Sequence, residues 1–84
     1  MKTYMFMYIL ADEIDKIKKN LGQHVGYWKG LDLEYFKNGP FADKSGGLII
    51  FSAADDDAAE EIISRDPILF DKTVDHYWLK EWVA

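Results

Sequence analysis

The sequence contains no cysteine, which excludes disulfides and thiolate metal sites and is in keeping with a reducing, cytoplasmic setting. Positive charge is also scarce. Ten Lys and Arg stand against 15 Asp and Glu, for a net charge of −5 and a pI near 4.8. Nucleic-acid affinity comes mostly from clustered Lys and Arg, so no nucleic-acid partner is expected. The one basic run, Lys16, Lys18 and Lys19, is short, interleaved with acids, and reads as a solvated face. Long hydrophobic runs are missing as well. Residues 1–10 are apolar, but the stretch is far shorter than a membrane span and has no signal-peptide layout, so it reads as a strand and no membrane partner is expected. Metal-ligand spacing, a Gly-rich phosphate loop and a Ser-His-Asp layout are all absent from the sequence pattern, so neither a metal nor a cofactor is expected.

What is present is apolar. Hydrophobic residues make up 49% of the 84 positions and aromatics 15%. This length is enough for one domain, residues 1–84, and not for two. So small a domain buries only about 60% of the surface its unfolded chain exposes, and without a covalent staple its stability calls for a partner. The surplus of apolar side chains points the same way: a homodimer or higher oligomer is expected, with part of the hydrophobic material at a subunit interface.

Met1 to Leu10 alternates Tyr4, Phe6, Tyr8 and Leu10 against Met5, Met7 and Ile9. The period is two and both sets are apolar, so both faces of this strand need cover. Asp12 stands where a helix N-cap is expected, and Ile14, Ile17, Leu21, Val25, Trp28 and Leu31 follow at spacings of three and four, one helical stripe. Gly22 and Gly26 each cost about 1 kcal/mol relative to alanine in a helix interior, so the helix is expected to begin near Leu21, after a shorter turn over residues 11–20. Leu33 to Phe36 reads as a short strand ended by a turn at Asn38-Gly39-Pro40. A second turn, Asp43 to Gly47, precedes a strand from Leu48 to Ala53 that is apolar on both faces. Asp55, Asp56 and Asp57 suit the start of a helix whose buried side is Ala58, Ala59, Ile62 and Ile63, with Arg65 in its last turn and Pro67 disfavouring helix at Asp66. After a loop over residues 68–72, Val74 to Val83 alternates as a final strand.

The order β-α-β-β-α-β is the split βαβ, ferredoxin-like α+β arrangement, with a four-stranded antiparallel sheet. Two helices cover only one face of that sheet. Since the strands are apolar on the other face too, the pattern calls for two sheets from two subunits packed face to face, a dimeric α+β barrel.

For acid–base work near neutrality the chain offers His24 and His76. His24 falls three residues after Leu21 and four before Trp28, at the edge of the apolar stripe, from which it can reach a cavity between helix and sheet. Its alternative role is a buried histidine satisfied by a backbone carbonyl. His76, between Asp75 and Tyr77 in the last strand, reads as structural. Asp66, just before Pro67, is placed to orient an imidazole or to form a turn. Tyr8, Trp28, Tyr35 and Phe41 are the candidate lining of an apolar substrate pocket.

The ordered set of His24, Gly39-Pro40-Phe41, the strand Ser45-Gly46-Gly47-Leu48-Ile49-Ile50-Phe51, the Ala58/Ala59 helix, Asp66-Pro67 and the terminal aromatic strand resembles the YCII-related (YciI-like) family. The resemblance implies the dimeric α+β barrel and a pocket holding a histidine and an aspartate as an acid–base pair. On this chain those positions are His24 and Asp66, with Gly39, Pro40 and Phe41 beside the substrate. Many members carry an arginine one turn before the histidine; here that place is Leu21, leaving Lys44 and Arg65 as the cations to replace it. Family activities concern small aromatic or lactone-like molecules. The expectation is therefore a small lyase or isomerase in which Asp66 accepts a hydrogen bond from one nitrogen of His24 while the other moves a substrate proton. The alternative is a non-catalytic small-ligand-binding or accessory module with the same fold.

Overall fold

A computed structural model describes residues 1–83. Four strands form one antiparallel sheet in the order β2-β3-β1-β4: β1 (Lys2–Leu10), β2 (Phe36–Pro40), β3 (Gly46–Ala53) and β4 (Val74–Glu81). Between them lie α1 (Ile14–Gly30), α2 (Asp56–Ser64) and a single-turn helix α3 (Pro67–Phe70). This is the ferredoxin-like α+β fold. The final alanine lies outside the described residues.

The sheet is built by β1, which pairs with β3 from Lys2↔Ala53 to Ile9↔Gly46 and with β4 from Tyr4↔Glu81 to Leu10↔Val74. The two-residue period then separates two faces. Tyr4, Phe6, Tyr8, Ile49 and Phe51 are buried beneath the helices. Met5, Met7, Ile9, Leu48 and Ile50 point to the other face and are half-buried. Trp28 of α1 anchors the covered side: its ring stacks on Phe36 with centroids 5.9 Å apart and meets Phe51 edge-on at 5.1 Å. Such aromatic pairs contribute about 0.5–1.5 kcal/mol each beyond the area they bury.

Several local expectations are corrected. Helix α1 runs unbroken through Gly22 and Gly26, because its buried side chains dock on the sheet and α3, and tertiary packing overrides a propensity cost of this size. Its N-cap is Glu13 rather than Asp12, without a side-chain cap. Its buried stripe is Asn20, His24 and Trp28, whereas Ile14, Leu21 and Val25 are exposed. The second strand starts at Phe36, not Leu33, and Asn38-Gly39-Pro40 lies within it. On the edge of a sheet a proline forfeits no ladder bond that the strand needs. The β2–β3 turn instead closes through Lys44 N–H to Phe41 C=O at 2.9 Å, and Gly46 and Gly47 belong to β3. Residues 68–72 hold most of α3 rather than a plain loop.

The acidic start of α2 is as expected. Asp55 caps α2, accepting from Ala58 N–H at 2.8 Å, Asp56 and Asp57 occupy its first turn, and Ala59 and Ile63 form its buried side. Among the described residues no helix is long and apolar enough to cross a membrane.

Candidate functional site: a buried histidine–aspartate pair

The site is assembled by a turn, a helix and a strand. Pro67 pushes the preceding residue out of the helical region, and Asp66 accordingly sits at φ −67°, ψ 126° between α2 and α3. From there its Oδ1 accepts Ile68 N–H at 3.1 Å and caps α3, which has Pro67 at its first position. The other carboxylate oxygen is left facing α1. Helical spacing of four places His24 and Trp28 one turn apart on that side. His24 Nδ1–H donates to Asp66 Oδ2 at 2.6 Å, and Trp28 Nε1–H donates to the same oxygen at 2.7 Å. With three donors converging on it, Asp66 is fully buried at 0% exposure without an unsatisfied atom, and His24 is 2% exposed. Hydrogen bonds to a charged group contribute about 1.5–3 kcal/mol each, which is what makes so deep a carboxylate tolerable.

The second nitrogen of His24 faces the sheet. Tyr8 Oη on β1 lies 3.3 Å from His24 Nε2, and the two rings meet edge-on with centroids 5.4 Å apart. In the neutral imidazole, with the Nδ1 proton directed at Asp66, Nε2 is the acceptor and Tyr8 the donor. Burial, and then the charge of Asp66, pushes the Tyr8 hydroxyl up to about 12. The phenol fits because β3 has no side chain under it: a Cβ placed on Gly47 would lie 2.5 Å from Tyr8 Oη, and one on Gly46 would run into the Tyr8 backbone carbonyl.

One turn before His24, Asn20 Nδ2 donates to Asp71 Oδ2 at 2.7 Å and to Thr73 Oγ1 at 3.0 Å. Thus α1 holds both ends of α3, Asp66 through His24 and Trp28, and Asp71 through Asn20. The Asn20 bond holds the Asp71 carboxyl below its ordinary range despite partial desolvation, with help from Lys19 and Lys16. Asn20, Asp71 and Thr73 escape a reading of the sequence that follows apolar spacing. The available signal is that Asn20, His24 and Trp28 recur every four residues, a polar stripe of the same period as the apolar one.

The residues expected around a substrate do not share one pocket. Tyr8 and Trp28 touch the pair directly. Gly39, Pro40 and Phe41 line a separate open groove of about 300 Å³ with Lys37, Leu48 and Ile50. Tyr35 is 48% exposed, and its backbone N–H donates to Ser52 Oγ. His76 is exposed on β4, its Nε2 3.7 Å from Asp75 Oδ2. Leu21 is exposed on α1, Lys44 sits in the β2–β3 turn, and Arg65 is engaged with Glu61 at 2.7 Å on the surface of α2. Among the described residues no cluster of three His, Asp or Glu side chains is placed to hold a metal ion.

Several solved structures share this fold, two of which follow. A 5-chloro-2-hydroxyhydroquinone dehydrochlorinase, TftG, of Burkholderia phenoliruptrix AC1100, in complex with 2,5-dihydroxybenzoquinone, aligns with a TM-score of 0.80 at 16% identity over 96% of this chain and 93% of that one. An antibiotic biosynthesis monooxygenase aligns with a TM-score of 0.66 at 14% identity over 100% of this chain and 98% of that one. At these identities the likeness is one of fold. No curated protein sequence matches the chain. The profile of the YCII-related domain does match, over residues 1–83, and the chain belongs to that family.

Proposed function

We propose that the chain is a small, cofactor-free enzyme of the lyase or isomerase type that moves a proton on a small aromatic or lactone-like molecule. In this reading His24 and Asp66 are the acid–base pair. The observation that carries it is the 2.6 Å bond from His24 Nδ1–H to a fully buried Asp66. A histidine and an aspartate buried together are a costly way to hold a helix against a turn, since apolar residues of the same volume commonly do as well or better. The pair is coherent for catalysis instead. Asp66 fixes the tautomer and stabilises the imidazolium as Nε2 takes a proton. Likeness to a dehydrochlorinase solved with a dihydroxybenzoquinone supports hydroxylated quinones and hydroquinones as the first class to try.

The working form in this reading is a homodimer, or a higher oligomer, in the cytoplasm, closed by the half-buried apolar face of Met5, Met7, Ile9, Leu48 and Ile50. The test is loss of HCl from 5-chloro-2-hydroxyhydroquinone, followed as chloride release with wild type, His24→Ala and Asp66→Asn. General acid–base catalysis contributes about 10²–10⁴-fold, and both variants are expected to lose that much. Turnover that persists in His24→Ala would sink the assignment.

A second reading, a non-catalytic ligand-binding or accessory module, is favoured by one observation: His24 is closed off by Tyr8, itself 6% exposed. Equal binding of 2,5-dihydroxybenzoquinone by wild type and His24→Ala, with no product from any substrate tried, would select it.

A further inference from the structure

The only atom of the pair free to exchange a proton is His24 Nε2, and it meets Tyr8 Oη at 3.3 Å. Among the described residues Tyr8 Oη is the one hydrogen-bond partner of Nε2, and both side chains are nearly buried, His24 at 2% and Tyr8 at 6% exposed, so a proton reaching Nε2 along a hydrogen bond comes through the phenol. The phenol is held over bare backbone, because a Cβ on Gly47 would stand 2.5 Å from Oη and 3.0 Å from the carbonyl oxygen of Gly39. Among the described residues nothing donates a hydrogen bond to Oη, which leaves its lone pairs unused within the chain.

We propose that Tyr8 is the catalytic residue that touches the ligand, its hydroxyl relaying a proton between an acidic O–H of a phenolic or enolic molecule and Nε2 of His24. The proposal rests on the reading of His24 and Asp66 as an acid–base pair and adds the group through which they act. In the forward step the ligand O–H bond breaks and its proton binds Tyr8 Oη, while the proton already on Oη passes to Nε2. The electron pair stays on the ligand as a phenolate or enolate. Tyr8 ends neutral, as it began, and the new imidazolium faces Asp66. The reverse transfer returns the proton to product. A hydroxyl pushed up to about 12 enters this cycle loaded with its proton rather than as a free phenolate.

A relay of this kind also activates Tyr8 Oη as a nucleophile, which gives a test independent of the natural substrate. The probe is p-nitrophenyl acetate. Oη attacks the ester carbonyl as its proton moves to Nε2, the bond to p-nitrophenolate breaks, and the acetyl group stays on Tyr8. Peptide mass spectrometry and the absorbance of p-nitrophenolate follow the reaction. Circular dichroism confirms that each variant is folded. Acetylation of Tyr8 is expected at least about tenfold faster than that of Tyr35 and Tyr77, although these are 48% and 49% exposed. His24→Gln and Tyr8→Phe are each expected to abolish the fast release.

Release that requires His24 but survives Tyr8→Phe, with no stable adduct, overturns the relay and leaves the acid–base pair standing. Tyr8 acetylated no faster than the exposed tyrosines also overturns the relay. The pair is then judged by the chloride-release assay alone.

Discussion

Tyr8 occupies two roles at once, part of the core beneath the helices and the hydrogen-bond donor to His24 Nε2. Its burial has a thermodynamic signature at alkaline pH. The folded state holds the proton up to about 12, whereas an unfolded tyrosine releases it near 10. Below pH 10 both states are protonated and the stabilisation is complete. Between pH 10 and 12 the unfolded state ionises first, so stability falls as pH rises, by roughly 2–3 kcal/mol for a shift of this size. Tyr4 and Tyr27 are pushed in the same direction, chiefly by burial. Urea unfolding at pH 9.5 and 11.5 checks this: Tyr8→Phe is expected to lose less stability over that interval than wild type. An equal loss in both would show that Tyr8 ionises as freely in the folded state as in the unfolded one.

At the scale of elements, α1 is the component whose behaviour departs most from local propensity. Gly22 and Gly26 lie in its interior on the solvent side, and a Cβ at either would meet nothing within 4 Å. Gly22→Ala and Gly26→Ala are each expected to stabilise the protein by about 0.5–1 kcal/mol, read as a rise in Tm of a few degrees. Lower thermal stability would indicate that the glycines serve a packing contact in the assembled protein. The same helix shows where sequence reading succeeds and where it stops. Strands β1, β3 and β4, the acidic start of α2 and the Pro67 stop were legible because each depends on neighbours in sequence, through period-two alternation, the helix dipole or a steric clash. The buried face of α1 was legible only in part, in Trp28 and in His24 at the edge of the stripe. Apolar spacing selects Ile14, Leu21 and Val25, yet the fold buries Asn20 and His24, because their partners Asp71, Thr73 and Asp66 lie 42 to 53 residues away. The β2 edge was obscured for a related reason: Asn38-Gly39-Pro40 has turn composition, and only pairing with Leu48 and its neighbours makes it a strand.

For the whole molecule, the two faces of the sheet differ in what covers them. One lies under the helices; the other presents Met5, Met7, Ile9, Leu48 and Ile50, with Trp78 opposite Met7 on β4. If a second copy covers this face, sedimentation should give twice the 9.8 kDa of the chain, and Met7→Glu, which places a charge at its centre, should return the single-chain mass. A wild-type protein that sediments as a single chain would contradict the proposed assembly. Residues of the candidate site were legible as individual positions, His24 and Asp66 above all. Their contact was expected from the family resemblance, whereas the enclosing roles of the Tyr8 hydroxyl, the Trp28 indole and Gly47 follow from the way α1, β1 and β3 come together.

The central claim is that Asp66 holds the proton of His24 on Nδ1 and so reserves Nε2 for exchange. Long-range 1H–15N NMR correlation of the two imidazoles, in wild type and Asp66→Asn, tests it most directly. The expected result is a His24 Nδ1 that bears its proton in wild type, with a downfield resonance from the 2.6 Å bond, and loses that assignment in the variant as the carboxamide no longer demands a donor. An Nδ1 without a proton in wild type, or one indifferent to Asp66→Asn, would contradict it.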